Sequence, residues 1–421
     1  MTAEPPDPLY LDEAAARADL TDVFDRCAAC ADCVDLCATF PLLSERLARR
    51  AAGGALDAGR LTPADQDDIV DSCLLCDRCV GRCDDVHVPN AVMRMRAMSR
   101  GTSHRTMRAA RTDALLGRPD RLARLTRAAP FGRRLAHARP NGLARRVMAA
   151  ATGISAVRVL PPYARERFST WLRRRPAVTT AQRVALLPTC LVEYHEPAIG
   201  RDLVEVYARN GIGCVLSTAG CCGAAALHTG DHARFRALAE RNVAALRAPD
   251  VDGLSIVVPQ PTCRSVIVEH YPRVLGGPGA ADVAARVVGA AEPLLAVDDA
   301  GAGAGLDTRF ADGVPARITM HVACHAVGTA DADRRLLERT GAAVTTVAGC
   351  SGSGGAWGLR AGHEDVAVPL ARRLAADLAS AGGDVVVGGC HAANTAVTEQ
   401  TGDTVTHPIQ VLARAYGITS T

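Results

Sequence analysis

The chain has 421 residues, is 48% hydrophobic and carries a formal charge of +3, which is enough length and apolar content for two to three domains with cores of their own. No apolar run of about 18 residues is free of charges, so no transmembrane helix is expected, and Met1 to Pro8 is acidic and polar, unlike a secretory leader. A cytoplasmic location is the expectation, and there the 16 cysteines should be thiols or metal ligands, because disulfides do not persist in reducing compartments.

The first elements in chain order are two cysteine quartets with one spacing. Cys27, Cys30, Cys33, Cys37 and Cys73, Cys76, Cys79, Cys83 each read C-x2-C-x2-C-x3-C, the bacterial ferredoxin run in which the fourth thiolate ligates the other 4Fe-4S cluster. The expected ligand sets are therefore Cys27, Cys30, Cys33 with Cys83 for one cluster, and Cys73, Cys76, Cys79 with Cys37 for the second. Paired zinc sites would also use four cysteines each, but structural zinc usually takes two separated pairs rather than three thiolates in seven residues. The proline that often follows the fourth cysteine is replaced by Ala38 and Asp84, which bears on loop geometry and not on ligand number. Between the quartets the pattern is helical, with Leu42, Leu43 and Leu47 on one face and Thr62-Pro63-Ala64-Asp65 reading as a helix start.

Residues 100–175 hold 19 arginines against 3 acids, while residues 1–99 hold 10 against 18 and residues 176–421 hold 19 against 24. Dense positive charge suits an anionic lipid surface, an acidic partner or nucleic acid. Phe131, Tyr163, Phe168 and Trp171 are too few to make a stacking platform, so no nucleic acid is expected. The segment reads as Arg- and Ala-rich helices broken at Pro119, Pro130, Pro140 and Pro161-Pro162. Arg118 to Ala129 and Leu143 to Ala150 pair an Arg face with an apolar one, as a helix at a membrane interface does, or a connector packed on its own protein.

From Arg183 onward short β-branched runs alternate with amphipathic helices: Arg183 to Pro188, Gly213 to Ser217, Leu254 to Pro259, then Ile318 to Ala323, Val344 to Ala348 and Asp384 to Gly388. Such alternation implies parallel sheets with βαβ connections. A Gly- and Asp-rich stretch, Asp298 to Val314, separates two halves with matching cysteines. The first half has Cys190 after a strand, then Cys221-Cys222-Gly223, then Cys263; the second has Cys324, then Cys350-Ser351-Gly352, then Cys390. All fall just past strand ends, where open α/β sheets place ligands. Cys214 lies inside a strand and reads as a small buried apolar residue. Gly352-Ser353-Gly354-Gly355 lacks the Lys and Ser/Thr of a phosphate loop and reads as tight backbone around Cys350, while Gly301 to Gly305 lies in a linker.

The paired halves resemble the cysteine-rich CCG domain, C-x(30–39)-CCG-x(35–36)-C-x-x-C, found twice in a heterodisulfide reductase polypeptide and in iron-sulfur subunits of flavin dehydrogenases. Joined to the two quartets, the order is similar to the iron-sulfur (C) subunit family of anaerobic glycerol-3-phosphate dehydrogenase and to the glycolate oxidase iron-sulfur subunit. Leu160-Pro161-Pro162-Tyr163-Ala164 and His407-Pro408-Ile409-Gln410-Val411-Leu412 also look like that family. Gln260 replaces one thiol in the first copy, and Ser351 and Val387 replace two in the second. Four thiols at Cys190, Cys221, Cys222 and Cys263 suffice for a third cluster. Cys324, Cys350 and Cys390 would need a hydroxyl, a histidine or water as a fourth ligand, and His325 and His391 are the neighbouring histidines.

The resemblance implies an α+β multidomain chain: a helical two-cluster ferredoxin domain over residues 1–99, a basic helical connector over 100–180, and Rossmann-like α/β CCG domains over 181–297 and 317–421, joined by a linker over 298–316. With no flavin or nicotinamide site and no acid-base pair for oxidising an alcohol, the expected role is electron transfer. Electrons would come from an FAD-dependent dehydrogenase subunit and go to quinone or another acceptor, with the basic segment touching an anionic surface at the inner face of the cell membrane. The alternatives are a heterodisulfide reductase-like thiol-disulfide enzyme, or CCG domains serving only as a docking scaffold.

Overall fold

A computed structural model of the chain describes residues 12–36, 39–51, 56–83, 86–101, 107–128, 138–176, 180, 182–299, 305–311 and 314–418. Met1 to Pro8, Cys37, Pro130 and Gly301 to Ala304 lie outside them.

Four helices, Glu13–Cys30, Thr39–Arg50, Pro63–Ser72 and Val88–Gly101, frame the two quartets. The third begins as its sequence predicts. Thr62 accepts from the Asp65 N–H, and the Asp65 carboxylate accepts from the Thr62 N–H, a reciprocal cap with Pro63 in the first turn. Leu20, Phe24, Leu43, Leu47, Ile69 and Met95 are buried together, and the same core continues into Leu227, Phe235, Ile256 and Tyr271. One apolar interior thus serves both the quartet helices and the first cysteine-rich half. Arg96 reinforces this junction, its guanidinium donating to the carbonyls of Val70, Cys73 and His228.

Each later half is built on a small parallel sheet. Strands β1 (Gln182–Leu186), β2 (Ile212–Leu216), β3 (Ile256–Val257) and β4 (Val287–Val288) lie in the order β2-β1-β3-β4, and β5 (Arg317–Val322), β6 (Ala343–Ala348) and β7 (Val385–Gly388) in the order β6-β5-β7. The six strands expected from β-branched runs all form. Strand β4, two residues long, was not among them, since so short a run carries no periodicity. In both sheets the first strand is central, so the helical turns that follow β1 and β5 and bear Cys190 and Cys324 start at the middle of a sheet edge. The last helix, Pro408–Ala415, packs across the halves, sharing a core with Leu203, Tyr207 and Leu186.

The basic segment forms the helices Met107–Leu116, Pro119–Ala128, Leu143–Thr152 and Phe168–Leu172. In Leu143–Thr152 the expected separation of an Arg face from an apolar face is not kept: Arg145 and Ala149 are buried. Arg145 donates to the Ser155 and Arg158 carbonyls, whereas Leu143 and Val147 are 80% and 61% exposed. Arg158 is buried too, paired with Glu399 at 2.9 Å. Two of the arginines that gave this segment its charge therefore act as internal struts. Among the described residues no helix is long and apolar enough to cross a membrane.

Candidate iron-sulfur sites

The helix Glu13–Cys30 presents Cys27 and Cys30 and ends at Ala31, whose left-handed backbone (φ 58°) returns an N–H to the Cys27 carbonyl. The following turn supplies Cys33. Cys83 comes in from the far end of the other quartet. Burial pushes the Cys27 thiol up to about 12, and the neighbouring Cys33, Cys83 and Cys30 add to it. The four thiols line a cavity of about 440 Å³ with Cys79, Phe40 and Arg82, far more than the roughly 15 Å³ that holds a single water.

Cys73, Cys76 and Cys79 line a neighbouring, narrower pocket with Phe40, Leu74 and Val88; their expected partner Cys37 is outside the described residues. Leu75 and Asp77, on either side of Cys76, both adopt left-handed backbone (φ 52° and 55°), a conformation that costs a non-glycine residue about 1 kcal/mol or more. The Cys76 thiol is pushed up, first by burial and then by Cys324, Cys350 and Cys73, against the lowering effect of a backbone hydrogen bond from Arg78. The second quartet therefore faces the second cysteine-rich half. Leu74 packs with Trp357 and Ala367, with Cys350 at the edge of the cluster, and the Trp357 indole N–H donates to the Asp71 carbonyl.

The first half assembles its four thiols in a row. Cys190, Cys221 and Cys222 lie close enough to shift one another's thiols, and the Cys222 and Cys263 sulfurs are 3.1 Å apart. The hydrogen bond with Cys221 and burial raise the Cys190 thiol, while hydrogen bonds from Cys190 and Cys222 lower Cys221. Backbone polar groups of the Cys221-Cys222 turn are held from behind: the Asn242 amide donates to the Cys221 carbonyl and the Tyr271 hydroxyl to that of Cys222, both at 2.9 Å. Gly223 is required by this turn. Its φ is 89°, and a Cβ there would lie 2.8 Å from the Phe235 ring. Cys214 lies in β2, its thiol pushed up to about 12 by burial, as a packing residue.

The second half is arranged differently. Cys324 lies 4.0 Å from the His325 Nδ1, and its thiol is lowered because the charge of and hydrogen bonds with His325 outweigh burial. Cys390 is buried, raised first by that burial and then by Cys324. Cys350 accepts from the Gly352 N–H at 3.4 Å. Gly352, Gly354 and Gly355 all have positive φ, so the Gly-rich run is tight backbone around the thiol. Val387 is a buried core residue of β7, and Ser351 bonds Ser353. His325 turns away from a ligand role: Nδ1 meets Thr262 Oγ1 at 3.2 Å and Nε2 meets the Leu75 carbonyl at 3.1 Å. It joins both cysteine-rich halves to the second quartet. His391 is buried, and its Nε2 has no partner among the described residues.

Comparison with known proteins accords with this arrangement. A 4Fe-4S dicluster domain matches residues 26–86, and the cysteine-rich domain CCG matches twice, over residues 184–268 and 318–394. Over 281 residues the sequence is 27% identical to the C subunit of the anaerobic glycerol-3-phosphate dehydrogenase of Escherichia coli K12 and, equally, of E. coli O157:H7, covering 64% of this chain and 69% of each relative. The chain is similar to these iron-sulfur subunits in both domain types and in their order. It carries 4Fe-4S clusters and acts in electron transfer.

The donor chemistry fits that cofactor. Soft thiols gathered in buried groups suit iron-sulfur clusters, and the hard-donor alternative is confined to one place: among the described residues Asp77, Glu269 and His270 are the only three side chains of ligating type placed to share a single ion. Sequence spacing missed the approach of Cys76 to Cys324 and Cys350. No local signal could have revealed it, because the groups that dock there, Leu75 and His325, are 250 positions apart.

Proposed function

We propose that this subunit takes electrons from a separate FAD-dependent dehydrogenase, acting on a substrate of the glycerol-3-phosphate, glycolate or lactate type, and delivers them to quinone or another acceptor. The carrying observation is the docking of the second quartet onto the second cysteine-rich half, which makes the thiol sites neighbours rather than separate modules. When bound, 4Fe-4S clusters take up and release single electrons. Cys27, Cys30, Cys33 and Cys83 would hold the first, Cys73, Cys76, Cys79 and Cys37 the second, and Cys190, Cys221, Cys222 and Cys263 a third. The Cys324, Cys350 and Cys390 set, short of one thiol, is read as a relic or a partial site. The sheets are read as Rossmann-like, with domains at 1–99, 100–180, 181–297 and 317–421.

The test is iron and acid-labile sulfide per chain after anaerobic preparation, with EPR of the reduced protein. About twelve irons support three clusters and about eight only two; fewer than eight would sink the reading. Peripheral binding at the inner face of the cell membrane is supported by Leu143 and Val147, exposed one turn apart with exposed Arg146 beside them. Pelleting with anionic liposomes should fall on raising salt and on changing Leu143 and Val147 to Asp; equal binding to neutral lipid would refute it.

A further inference from the structure

Where the loop of the second quartet meets the first cysteine-rich half, the Asp77 and Glu269 carboxylates and the His270 imidazole bring ligand atoms within 4.8 Å of one another. The three come from two unrelated segments. Asp77 is held in left-handed backbone between Cys76 and Cys79, and Glu269 and His270 end the π-turn Val266–His270 that follows Cys263, a local widening often found at functional sites.

His270 is only 7% exposed, and among the described residues it has neither a hydrogen bond nor an ion pair. Burial also lowers its pKa to about 4, so it stands neutral at ordinary pH, the form that ligates metals. Glu269 is exposed, giving a path to solvent, and accepts one bond from Ser265 Oγ at 3.1 Å. Asp77 meets His325 Nε2 at 3.4 Å. Arg273, whose guanidinium bears on His270, is engaged with Asn90.

We infer that Asp77, Glu269 and His270 bind one divalent first-row cation of the Mn²⁺ or Fe²⁺ kind, tying the second quartet's loop to the turn after Cys263. Two carboxylate oxygens and one imidazole nitrogen make a harder donor set than the thiol sites, so such a cation belongs here and a thiophilic one does not. Its charge would lie beside Asp77, between two thiols of the second quartet, and would favour the reduced form of whatever they hold.

The test titrates the full-length, cluster-loaded, oxidised protein with Mn²⁺, following free Mn²⁺ by EPR. One Mn²⁺ should bind per chain, and Glu269→Gln and His270→Gln should each weaken binding at least tenfold at unchanged iron content. Glu269 is exposed, so its variant decides the matter even if His270→Gln loses iron. No uptake by the native chain, or undiminished affinity in Glu269→Gln, would overturn the assignment.

Discussion

The two cysteine-rich halves share a sheet order, with the first strand central between the second and third, yet their thiol sites have diverged. In the first, four sulfurs meet in a row backed by Asn242 and Tyr271. In the second, three remain, a histidine holds one of them, and the opening faces Cys76 of the quartet region. A fold repeated within one chain can thus keep a self-sufficient site in one copy and turn the other into a surface for a neighbouring site. The sheet sets where the thiols emerge, and what packs over the strand ends sets what they can do.

The largest test of this contrast is chemical. Cys222→Ser should remove a whole cluster, about four irons per chain, whereas Cys324→Ser should leave the iron count unchanged; equal losses from both would erase the distinction. Next comes the attachment of the second half. Arg158→Met strands Glu399 in the interior, and breaking a buried pair of this kind costs about 3–5 kcal/mol, measurable as a lower denaturation midpoint. The side chains of this pair are 3% and 11% exposed, so little of that cost is screened.

A smaller effect lies at the seam between the halves, where Asp333 neighbours Pro261, Gly389 and His407 around a small cavity. Burial, reinforced by Glu292, raises the Asp333 carboxyl to about 7. The unfolded chain releases that proton near pH 4 and the folded one does so only near 7, so its stability should fall as pH rises through this interval and then level off. Asp333→Asn should abolish the decline, gaining on the order of 4 kcal/mol at pH 8 and little at pH 4, as pH-dependent unfolding would record. The smallest effect is His325→Ala. It should cost about 1–3 kcal/mol through the unpaired Leu75 carbonyl and raise hydrogen exchange in the quartet loop more than around Cys222. Equal change at both sites would mean that the two halves are not differently coupled to the quartets.

Much of the site was legible before folding because its signals are local. The C-x2-C-x2-C-x3-C spacing, the Thr62 and Asp65 cap, the strand runs ending at Cys190 and Cys324, and the glycines around Cys350 each depend on residues within a few positions. What escaped involves partners far apart in sequence. The Leu143–Thr152 helix has an amphipathic pattern, but pattern cannot say which face is inward; the carbonyls of Ser155 and Arg158 draw Arg145 inside and leave Leu143 and Val147 out. Likewise His325 follows a cysteine as a ligand would, yet Thr262 and Leu75 claim its nitrogens.

The amino-acid sequence by itself determined which thiols exist, their grouping along the chain and the strand ends that carry them, since these follow from spacing and periodicity within each segment. Only the tertiary structure decided that Cys76 faces Cys324 and Cys350, and that Asp77 meets His270. Those meetings depend on how the apolar faces of separate segments bury one another, a property of the packed whole that no single segment encodes.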